Sequence, residues 1–322
     1  MELVAADIGG THARFALATV ESGRVTGLGE PVTLRTADHA SLQTAWEAFG
    51  HLVDRPLPRA AAIAIASPIG SGIIKLTNNS WIVDPSDLAL RLGLDQHILV
   101  NDFGAVGHAV AQLPDTDFIH LAGPDCPLSD LGVITVCGPG TGLGVAQILR
   151  ATSSYHVIET EGGHIDFAPL DAFEDRLLQD QRKRFQRVSI ERIVSGPGIA
   201  SIYDMLAVIA GSSVPRLDDK AIWAAALDSS DSLAVAALDR FSLCLGAVAG
   251  DLALAQGAKG VVIAGGLGLR LKDHLSRSGF AQRFAAKGRF RSVMEAIPIK
   301  LITYPQPGLY GAAAAFAQRF SQ

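Results

Sequence analysis

Cysteine is scarce in this sequence, and the three that occur, Cys126, Cys137 and Cys244, lie far apart. No C-x-x-C pair is present, so a zinc site of the usual spacing is excluded, and reduced thiols in a cytosol are expected. The P-loop pattern G-x-x-x-x-G-K followed by Ser or Thr is also absent, which excludes a P-loop nucleotide site.

Long apolar runs are missing as well. The N-terminus MELVAADIGG lacks the basic stretch and apolar core of a signal peptide. The uncharged run Leu131–Leu149 contains five glycines and Pro139, which make it a poor membrane helix. We therefore expect a cytoplasmic protein with no membrane partner.

Positive charge is not in excess: 27 Lys and Arg stand against 32 Asp and Glu, for a formal net charge of -5. A mildly acidic chain has no built-in attraction for a nucleic-acid backbone, and we expect no nucleic-acid partner. Hydrophobic residues make up 48% of the 322, which is typical of a globular protein. The length fits two lobes, or one large α/β domain.

Two segments with the same pattern begin the two halves of the chain. Leu3–Ile8 and Ala13–Thr19 flank the turn Gly9-Gly10-Thr11, and Gly132–Cys137 and Gly144–Leu149 flank the turn Gly138–Gly142. β-rich runs around a glycine turn predict hairpins. The repetition, about 130 residues apart, suggests a duplicated core.

Further elements follow from apolar patterning. Ala60–Ala66 is typical of a buried parallel strand, and His97–Val100, Gly260–Ala264 and Ile299–Thr303 predict shorter strands. Helices are predicted at 38–53, 103–112, 171–184, 197–210, 218–228, 231–256 and 308–320. We place a domain boundary at Leu113-Pro114.

Three glycine clusters, Gly9-Gly10-Thr11, Gly138–Gly144 and Gly265-Gly266, each follow a strand. Glycine permits positive φ and close approach of a ligand to the backbone, and N–H groups in such turns bind anions. Three such turns fit a nucleotide triphosphate, whereas the plainer alternative is that glycine only closes hairpins. The spacing Gly138-x-Gly140-x-Gly142, followed by a strand, does not fit a dinucleotide site.

Asp7 ends the first strand beside the first glycine turn. A carboxylate there would repel phosphates unless a cation lies between them, and magnesium needs only one or two carboxylates because it keeps several waters. The alternative is an Asx-turn.

Polar side chains suggest a polyol site. Asn101-Asp102 ends an apolar strand, where open α/β sheets place ligands, and Glu161-Gly-Gly-His164 and Glu191 add acids and an imidazole. Carboxylates are strong acceptors for sugar hydroxyls, and one can take a hydroxyl proton during phosphoryl transfer. The alternatives are that Asp102 is a helix N-cap, Glu161 and His164 are solvated turn charges, and Glu191 is a helix-start carboxylate.

These segments occur in the order seen in bacterial glucokinases, which the chain resembles over nearly its whole length. The matching motifs are Ala6-Asp-Ile-Gly-Gly-Thr11, Asn101-Asp-Phe103, Gly138-Pro-Gly-Thr-Gly142, Glu161-Gly-Gly-His164, Ser195-Gly-Pro-Gly198 and Ala264-Gly-Gly266, with a similar tail from Gly279 to Leu309. The resemblance implies the two-lobed actin-like ATPase (ribonuclease H-like) α/β fold with an inter-lobe cleft. It places 1–112 plus 304–322 in a small domain and 113–303 in a large one.

The resemblance also implies residue roles in ATP-dependent phosphorylation of glucose to glucose 6-phosphate. Asp102 is similar to the family's catalytic base and Asp7 to the residue that holds hydrated magnesium. The sugar-binding residues implied are Asn101, Asp102, Glu161, His164, Glu191 and Asn78, the last in an N-x-x-W pattern with Trp81. The nucleotide-binding residues implied are Ala6, Asp7, Ile8, Gly9, Gly10, Thr11, Gly140, Thr141, Gly265 and Gly266.

Differences between this sequence and related groups of proteins indicate which type of glucokinase it resembles. His12 stands where Asn is common in the family, at the nucleotide-binding turn. The zinc-binding CxCGxxGC segment and the DNA-reading domain of the related repressors are absent, so the chain resembles the zinc-free proteobacterial type, and the family implies a homodimer. Three alternatives stay open on the residues alone: a kinase for another hexose, a sugar sensor without turnover, and a filament-forming actin-like protein.

Overall fold

A computed structural model describes residues 1–67, 69–70, 72–76, 79–212 and 217–320. The chain divides into two compact units. The first contains Met1–Pro114, Val157–Glu159 and the chain from Tyr304 onward, and the second contains Asp115–His156 and Thr160–Thr303. Each unit is built around its own sheet.

Strands and helices alternate through both units. The strands are β1 Glu2–Ile8, β2 His12–Glu21, β3 Arg24–Leu28, β4 Val32–Arg35, β5 Ala60–Ile65, β6 Ile74–Lys75, β7 Ile82–Val83, β8 Gln96–Asn101, β9 Phe118–Ala122, β10 Gly132–Pro139, β11 Leu143–Ala151, β12 Ser154–Thr160, β13 Ala258–Ile263 and β14 Ile299–Ile302. The helices are α1 Leu42–Val53, α2 Leu88–Leu92, α3 Asp102–Gln112, α4 Ala172–Phe185, α5 Gly198–Ala210, α6 Asp219–Leu227, α7 Ser232–Gln256, α8 Gly265–Arg270, α9 Lys272–Leu275, α10 Phe280–Ala285, α11 Arg291–Glu295 and α12 Pro307–Phe320.

The sheet of the first unit has the order β3-β2-β1-β5-β8, with β4 paired to β2. β1 and β2 form the predicted antiparallel hairpin, and β1, β5 and β8 run parallel. Every residue of β5 is buried, as expected for a parallel strand covered on both faces. The carboxyl ends of β1 and β8 carry Asp7 and Asn101 at one edge of this sheet.

Successive side chains of β1 point to opposite faces of the sheet, and they divide the core of the first unit into two clusters. Val4, Ala6 and Ile8 share a cluster with α1, where Trp46 and Phe49 pack against Phe15. Leu3 and Ala5 point to the other face and pack against α12. The small residues of α12 allow close packing, because a Cβ on Gly311 would lie 1.7 Å from the Ala105 carbonyl oxygen on α3. The C-terminal helix thus belongs to the first unit.

The sheet of the second unit repeats this plan. Its order is β12-β11-β10-β13-β14-β9, with β10 antiparallel to β11 and parallel to β13, which is parallel to β14. The arrangement around β10 therefore matches that around β1. The duplicated core predicted from the two glycine hairpins is confirmed.

Helix α7 lies at the centre of the core of the second unit. Fourteen of its residues are buried, and it contacts α5, α6, α10, β10 and β13. Among the described residues, α7 alone is long and apolar enough to cross a membrane by length and composition, but 67% of its most apolar 18-residue window is buried inside the protein. Its composition is accounted for by its place in the core.

The predicted helix at 38–53 is wrong at its start. Helix α1 begins at Leu42, with Ser41 as N-cap in a capping box with Thr44, whereas Asp38 ends a separate short 3-10 turn. Strands β3, β4, β9 and β12 were not predicted. Their mixed polar patterns reflect exposed positions along each strand.

Candidate active site

The first glycine turn is held from outside by a threonine. Gly9 N–H donates to the His12 carbonyl at 2.9 Å and closes the hairpin. Thr36, which is buried, donates its hydroxyl to the Gly10 carbonyl at 2.9 Å and its N–H to the Thr11 carbonyl at 3.0 Å. The turn is thus a fixed backbone loop, with Gly10 partly and Thr11 largely exposed. Sequence reasoning missed Thr36, because no local pattern links it to a turn 25 residues earlier.

Asp7 lies directly below this turn. Its carboxylate pairs with Arg14 on the neighbouring strand at 3.4 Å, and its side chain is 21% exposed. Burial raises the pKa of Asp7, and the Arg14 charge acts in the opposite direction. A Cβ on Gly308, at the start of α12, would lie 2.9 Å from Asp7 Oδ2, so glycine is needed there for α12 to approach the carboxylate.

The partly exposed Asp7 carboxylate is the group at this turn that could hold a magnesium ion through water. The described residues contain no group of three or more His, Cys, Asp or Glu that could hold a metal. A single carboxylate is nevertheless a sufficient protein contribution for Mg²⁺, which keeps several waters and takes phosphate oxygens as ligands.

Asn101 and Asp102 form the junction between β8 and α3. Asn101 is the N-cap: its Oδ1 accepts from Phe103 N–H at 2.9 Å and from Gly104 N–H at 3.0 Å. The alternative in which Asp102 caps the helix is therefore wrong. Asp102 is the first helical residue, and its Oδ1 accepts from Phe103 N–H at 2.8 Å. A carboxylate in the first turn is stabilised by the helix dipole.

Asn101 is 8% exposed and holds more than the helix start. Its Nδ2 donates to the Ser67 carbonyl at 3.3 Å, and its backbone N–H donates to Glu159 Oε1 at 2.9 Å. The amide group carries two hydrogens, and these contacts use one of them. The other is chemically able to serve a ligand hydroxyl.

Three glycine turns meet in the second unit. Gly196 N–H donates to the Gly140 carbonyl at 2.7 Å, which joins the Ser195–Gly198 turn to the Gly138–Gly142 turn. Gly265 has a φ of 82° and lies against Pro139, where a Cβ would be 2.8 Å from the carbonyl oxygen. Of the five nucleotide-turn glycines predicted, Gly265 alone has a positive φ. Gly140 instead faces open space, which leaves room for a ligand to approach its backbone.

A cavity of about 780 Å³ opens beside these turns, within the size range of small-molecule sites. Gly140, Thr141 and Gly266 line it, together with four residues that sequence reasoning missed: Asp219, Lys220, Trp223 and Arg270. Trp223 donates its indole N–H to the Gly196 carbonyl at 2.8 Å and so fixes the wall. These residues lie on α6 and α8, and only the fold brings them to the turns.

The predicted sugar-binding acids of the second unit are brought together by backbone pairing. Glu191 is the middle residue of the short 3-10 turn Ile190–Arg192, and its carboxylate accepts from Leu143 N–H at 2.9 Å. This approach requires Gly142, because a Cβ there would lie 2.3 Å from Glu191 Oε2. Glu191 thus contacts the Gly138–Gly142 turn and the strand that follows it, in addition to its own 3-10 turn.

Glu161 precedes another short 3-10 turn, Gly162–His164, and His164 is its last residue. Their side chains are 56% and 57% exposed, and His164 Nε2 lies 3.8 Å from Glu161 Oε2. Arg187 donates to the His164 carbonyl at 2.7 Å, and Ile190 N–H donates to the Ile165 carbonyl at 2.9 Å. These bonds hold the 161–166 segment next to the segment that carries Glu191.

The remaining predicted residues fall into two groups. Ala6 and Ile8 are fully buried, so only their backbone is available to a nucleotide. Asn78 lies outside the described residues. Its partner in the sequence pattern, Trp81, is buried and donates its indole N–H to the His39 carbonyl at 2.9 Å.

Comparison with known proteins is consistent with this arrangement. The glucokinase family model matches residues 4–319. The chain is 61% identical to a glucokinase of Zymomonas mobilis over 322 residues, covering 100% of this chain and 99% of that one. It is 38% identical to a glucokinase of Caulobacter vibrioides over 313 residues, covering 96% and 93%.

Solved structures show the same fold. The crystal structure of a glucokinase from an Antarctic psychrotroph is 35% identical and superposes with a TM-score of 0.85, covering 98% of both chains. A ROK-family glucokinase of Streptomyces griseus, solved with glucose and AMPPNP, is 19% identical with a TM-score of 0.66, covering 99% of this chain and 100% of that one. The predicted α/β fold of the actin-like ATPase type is confirmed by these matches, and the chain belongs to the glucokinase family.

Proposed function

We propose that this protein transfers the γ-phosphoryl group of ATP to the 6-hydroxyl of glucose and so supplies glucose 6-phosphate to glycolysis. The observation that carries the proposal is the junction of β8 and α3. There a carboxylate, Asp102, stands at a helix start fixed by the Asn101 side chain. Membership of the glucokinase family supports the choice of reaction.

In the proposed mechanism, Asp102 accepts the proton of the 6-hydroxyl as that oxygen attacks the γ-phosphorus. The bond from the γ-phosphorus to the bridging oxygen breaks, and ADP leaves with the electron pair. Asn101, Glu161, His164 and Glu191 bind the sugar hydroxyls, with Asn78 proposed as a further contact. Strong acceptors at several hydroxyls orient the sugar for attack.

The nucleotide is assigned to the glycine turns. The backbone N–H groups at Gly9–Thr11 and Gly140–Thr141 bind the terminal phosphates, and Gly265 and Gly266 lie beside the adenosine. The cavity along Gly140, Thr141 and Gly266 supports this assignment, and Lys220 and Arg270 add two cations to its lining. Asp7 would hold Mg²⁺ through water, and the ion supplies charge neutralisation for the transferring phosphoryl group.

We also propose a cytoplasmic homodimer. The predicted folding domains, 1–112 plus 304–322 and 113–303, would give each subunit a small and a large domain. Size-exclusion chromatography with light scattering tests the dimer, because a subunit of 33.7 kDa is readily distinguished from a pair.

Replacement of Asp102 tests the reaction. In a coupled assay of ADP release, the wild-type protein is expected to turn over with glucose and ATP. Asp102→Ala should reduce kcat by about 10²–10⁴-fold, the usual contribution of a positioned general base, while glucose affinity changes less. Near-normal turnover by the variant would refute the role of Asp102. A panel of other hexoses, run alongside, checks the choice of glucose.

A further inference from the structure

Glu159 contacts the junction of β8 and α3, which carries the proposed catalytic base. No sequence motif described above includes Glu159. Its Oε1 accepts the backbone N–H of Asn101 at 2.9 Å, although the two residues are 58 positions apart. The residue belongs to the first unit, in the short segment Val157–Glu159. A charged acceptor on a backbone N–H is stronger than a neutral one, so this contact fixes the Asn101 backbone firmly.

The contact continues into the start of α3. Asn101 N–H is bound by Glu159, and Asn101 Oδ1 binds the N–H groups of Phe103 and Gly104. Asp102 lies between these two anchored residues. Its position is therefore set on one side by the Glu159 carboxylate and on the other by the helix that Asn101 caps.

Gly104 provides a second observation on the same side chain. A Cβ there would lie 2.5 Å from Glu159 Oε1 and 2.6 Å from its Cγ, so any larger residue would push the Glu159 side chain away. Glycine inside a helix is less favourable than alanine by about 1 kcal/mol. The chain thus carries a destabilising residue in the first turn of α3 at the place where Glu159 needs room.

We propose that Glu159 is a positioning residue of phosphoryl transfer. Through the Asn101 N–H, and through the space left by Gly104, it holds the Asn101–Asp102 step so that Asp102 receives the sugar proton. This inference rests on the proposed function and deepens it. Glu159 acts through Asn101 and Asp102, and no contact between Glu159 and substrate is required.

Steady-state kinetics of Glu159 variants give the first test. Glu159→Ala is expected to reduce kcat by about 10–100-fold, since a misplacement of about 1 Å can cost about 10²-fold, with the KM for glucose changed by less than about threefold. Glu159→Gln keeps a neutral acceptor and should restore most of the lost kcat. The matched control is Glu47→Ala, which removes an exposed carboxylate on α1 whose partner is Gln43, and it should leave kcat unchanged.

The second test separates catalysis from stability. Gly104→Ala should reduce kcat as far as Glu159→Ala does, because its Cβ displaces the Glu159 side chain, while the helix preference of alanine offsets part of the stability lost with that hydrogen bond. The double variant should be no slower than Glu159→Ala alone, since both changes remove the same contact. The Gly104 variant keeps the proposal testable even if Glu159→Ala folds poorly.

The outcomes distinguish the two proposals. Wild-type kcat in both Glu159→Ala and Gly104→Ala would overturn the positioning role and leave the glucokinase activity intact. A kcat in Glu159→Gln as low as that in Glu159→Ala would overturn it as well, because the amide oxygen of glutamine can still accept from Asn101 N–H. A wild-type protein that releases no ADP with glucose would instead refute the proposed function.

Discussion

At the scale of single residues, the glycines of one turn have different tasks. A Cβ on Gly142 would collide with the Glu191 carboxylate, whereas a Cβ on Gly140 would meet nothing within 4 Å. Gly142 therefore makes space for an acid proposed to bind the sugar. Gly140 leaves open space at the place where we propose that the phosphates bind.

Two alanine substitutions should separate these tasks. Gly142→Ala is expected to displace Glu191 from Leu143 N–H and to raise the KM for glucose by about tenfold, about the effect of one lost hydrogen bond to a charged group. Gly140→Ala should raise the KM for ATP and leave that for glucose unchanged. Initial rates with each substrate varied in turn give both constants. Equal effects of the two variants on the glucose KM would contradict the assignment.

What the sequence could predict at this scale follows from chemistry. Asp102, Glu161 and Glu191 could be chosen as candidates because open α/β sheets place ligands at the carboxyl ends of strands, and because carboxylates beside glycine turns are strong acceptors for hydroxyl groups. The structure adds Thr36, Glu159 and Gly308, each of which acts on a residue at least 25 positions away. Such pairs are visible only once the chain has folded, since no spacing rule connects them.

At the scale of elements, helix packing depends on one close approach. α12 and α3 touch where Gly311 meets the Ala105 carbonyl, with room for no side chain. α3 also carries Asp102 at its first position, so the packing of α12 against α3 affects the position of the proposed catalytic base.

Gly311→Ala should therefore destabilise the protein although alanine favours helices. Separating the two helices is expected to cost about 1–3 kcal/mol, the usual range for overpacking. Gly50→Ala on α1 is the matched control: its Cβ would meet only Leu57, at an ordinary 3.4 Å, and it should stabilise by about 0.5–1 kcal/mol. Thermal unfolding of both variants checks the opposite signs. A melting temperature for Gly311→Ala at or above that of the wild type would contradict the packing argument.

Elements were predictable where the core imposes its pattern. The buried run of β5 and the capped helices α4 and α7 were found from sequence, because apolar periodicity and N-caps are local signals. Strands β3 and β4 were missed because they are short and contain no buried residue, so neither shows the apolar pattern of a core strand. The short helices between Gly265 and Glu295 were missed because four to six residues show no period.

At the scale of the whole molecule, burial of titratable groups links stability to pH. His108, on α3, has its pKa lowered by burial from 6.5 to about 4. The folded protein thus keeps this imidazole neutral at pH values where the unfolded chain has protonated it. Its contribution to stability is fully present above about pH 6.5 and is lost as the pH falls toward 4. Burial raises the pKa of Glu174 and of Asp7, so these groups act in the opposite direction.

A comparison of the wild type with His108→Gln isolates the histidine from those carboxyl groups. Between pH 7 and pH 4.5 the wild type should lose about 2–3 kcal/mol more stability than the variant, since each unit of pKa shift corresponds to about 1.4 kcal/mol. Midpoints of urea unfolding, measured across this range for both proteins, give the difference directly. The variant is expected to be less stable at pH 7 and to approach the wild type at pH 4.5. Two midpoint curves that stay parallel over the range would show that His108 is protonated alike in the folded and unfolded chains, contrary to its burial in α3.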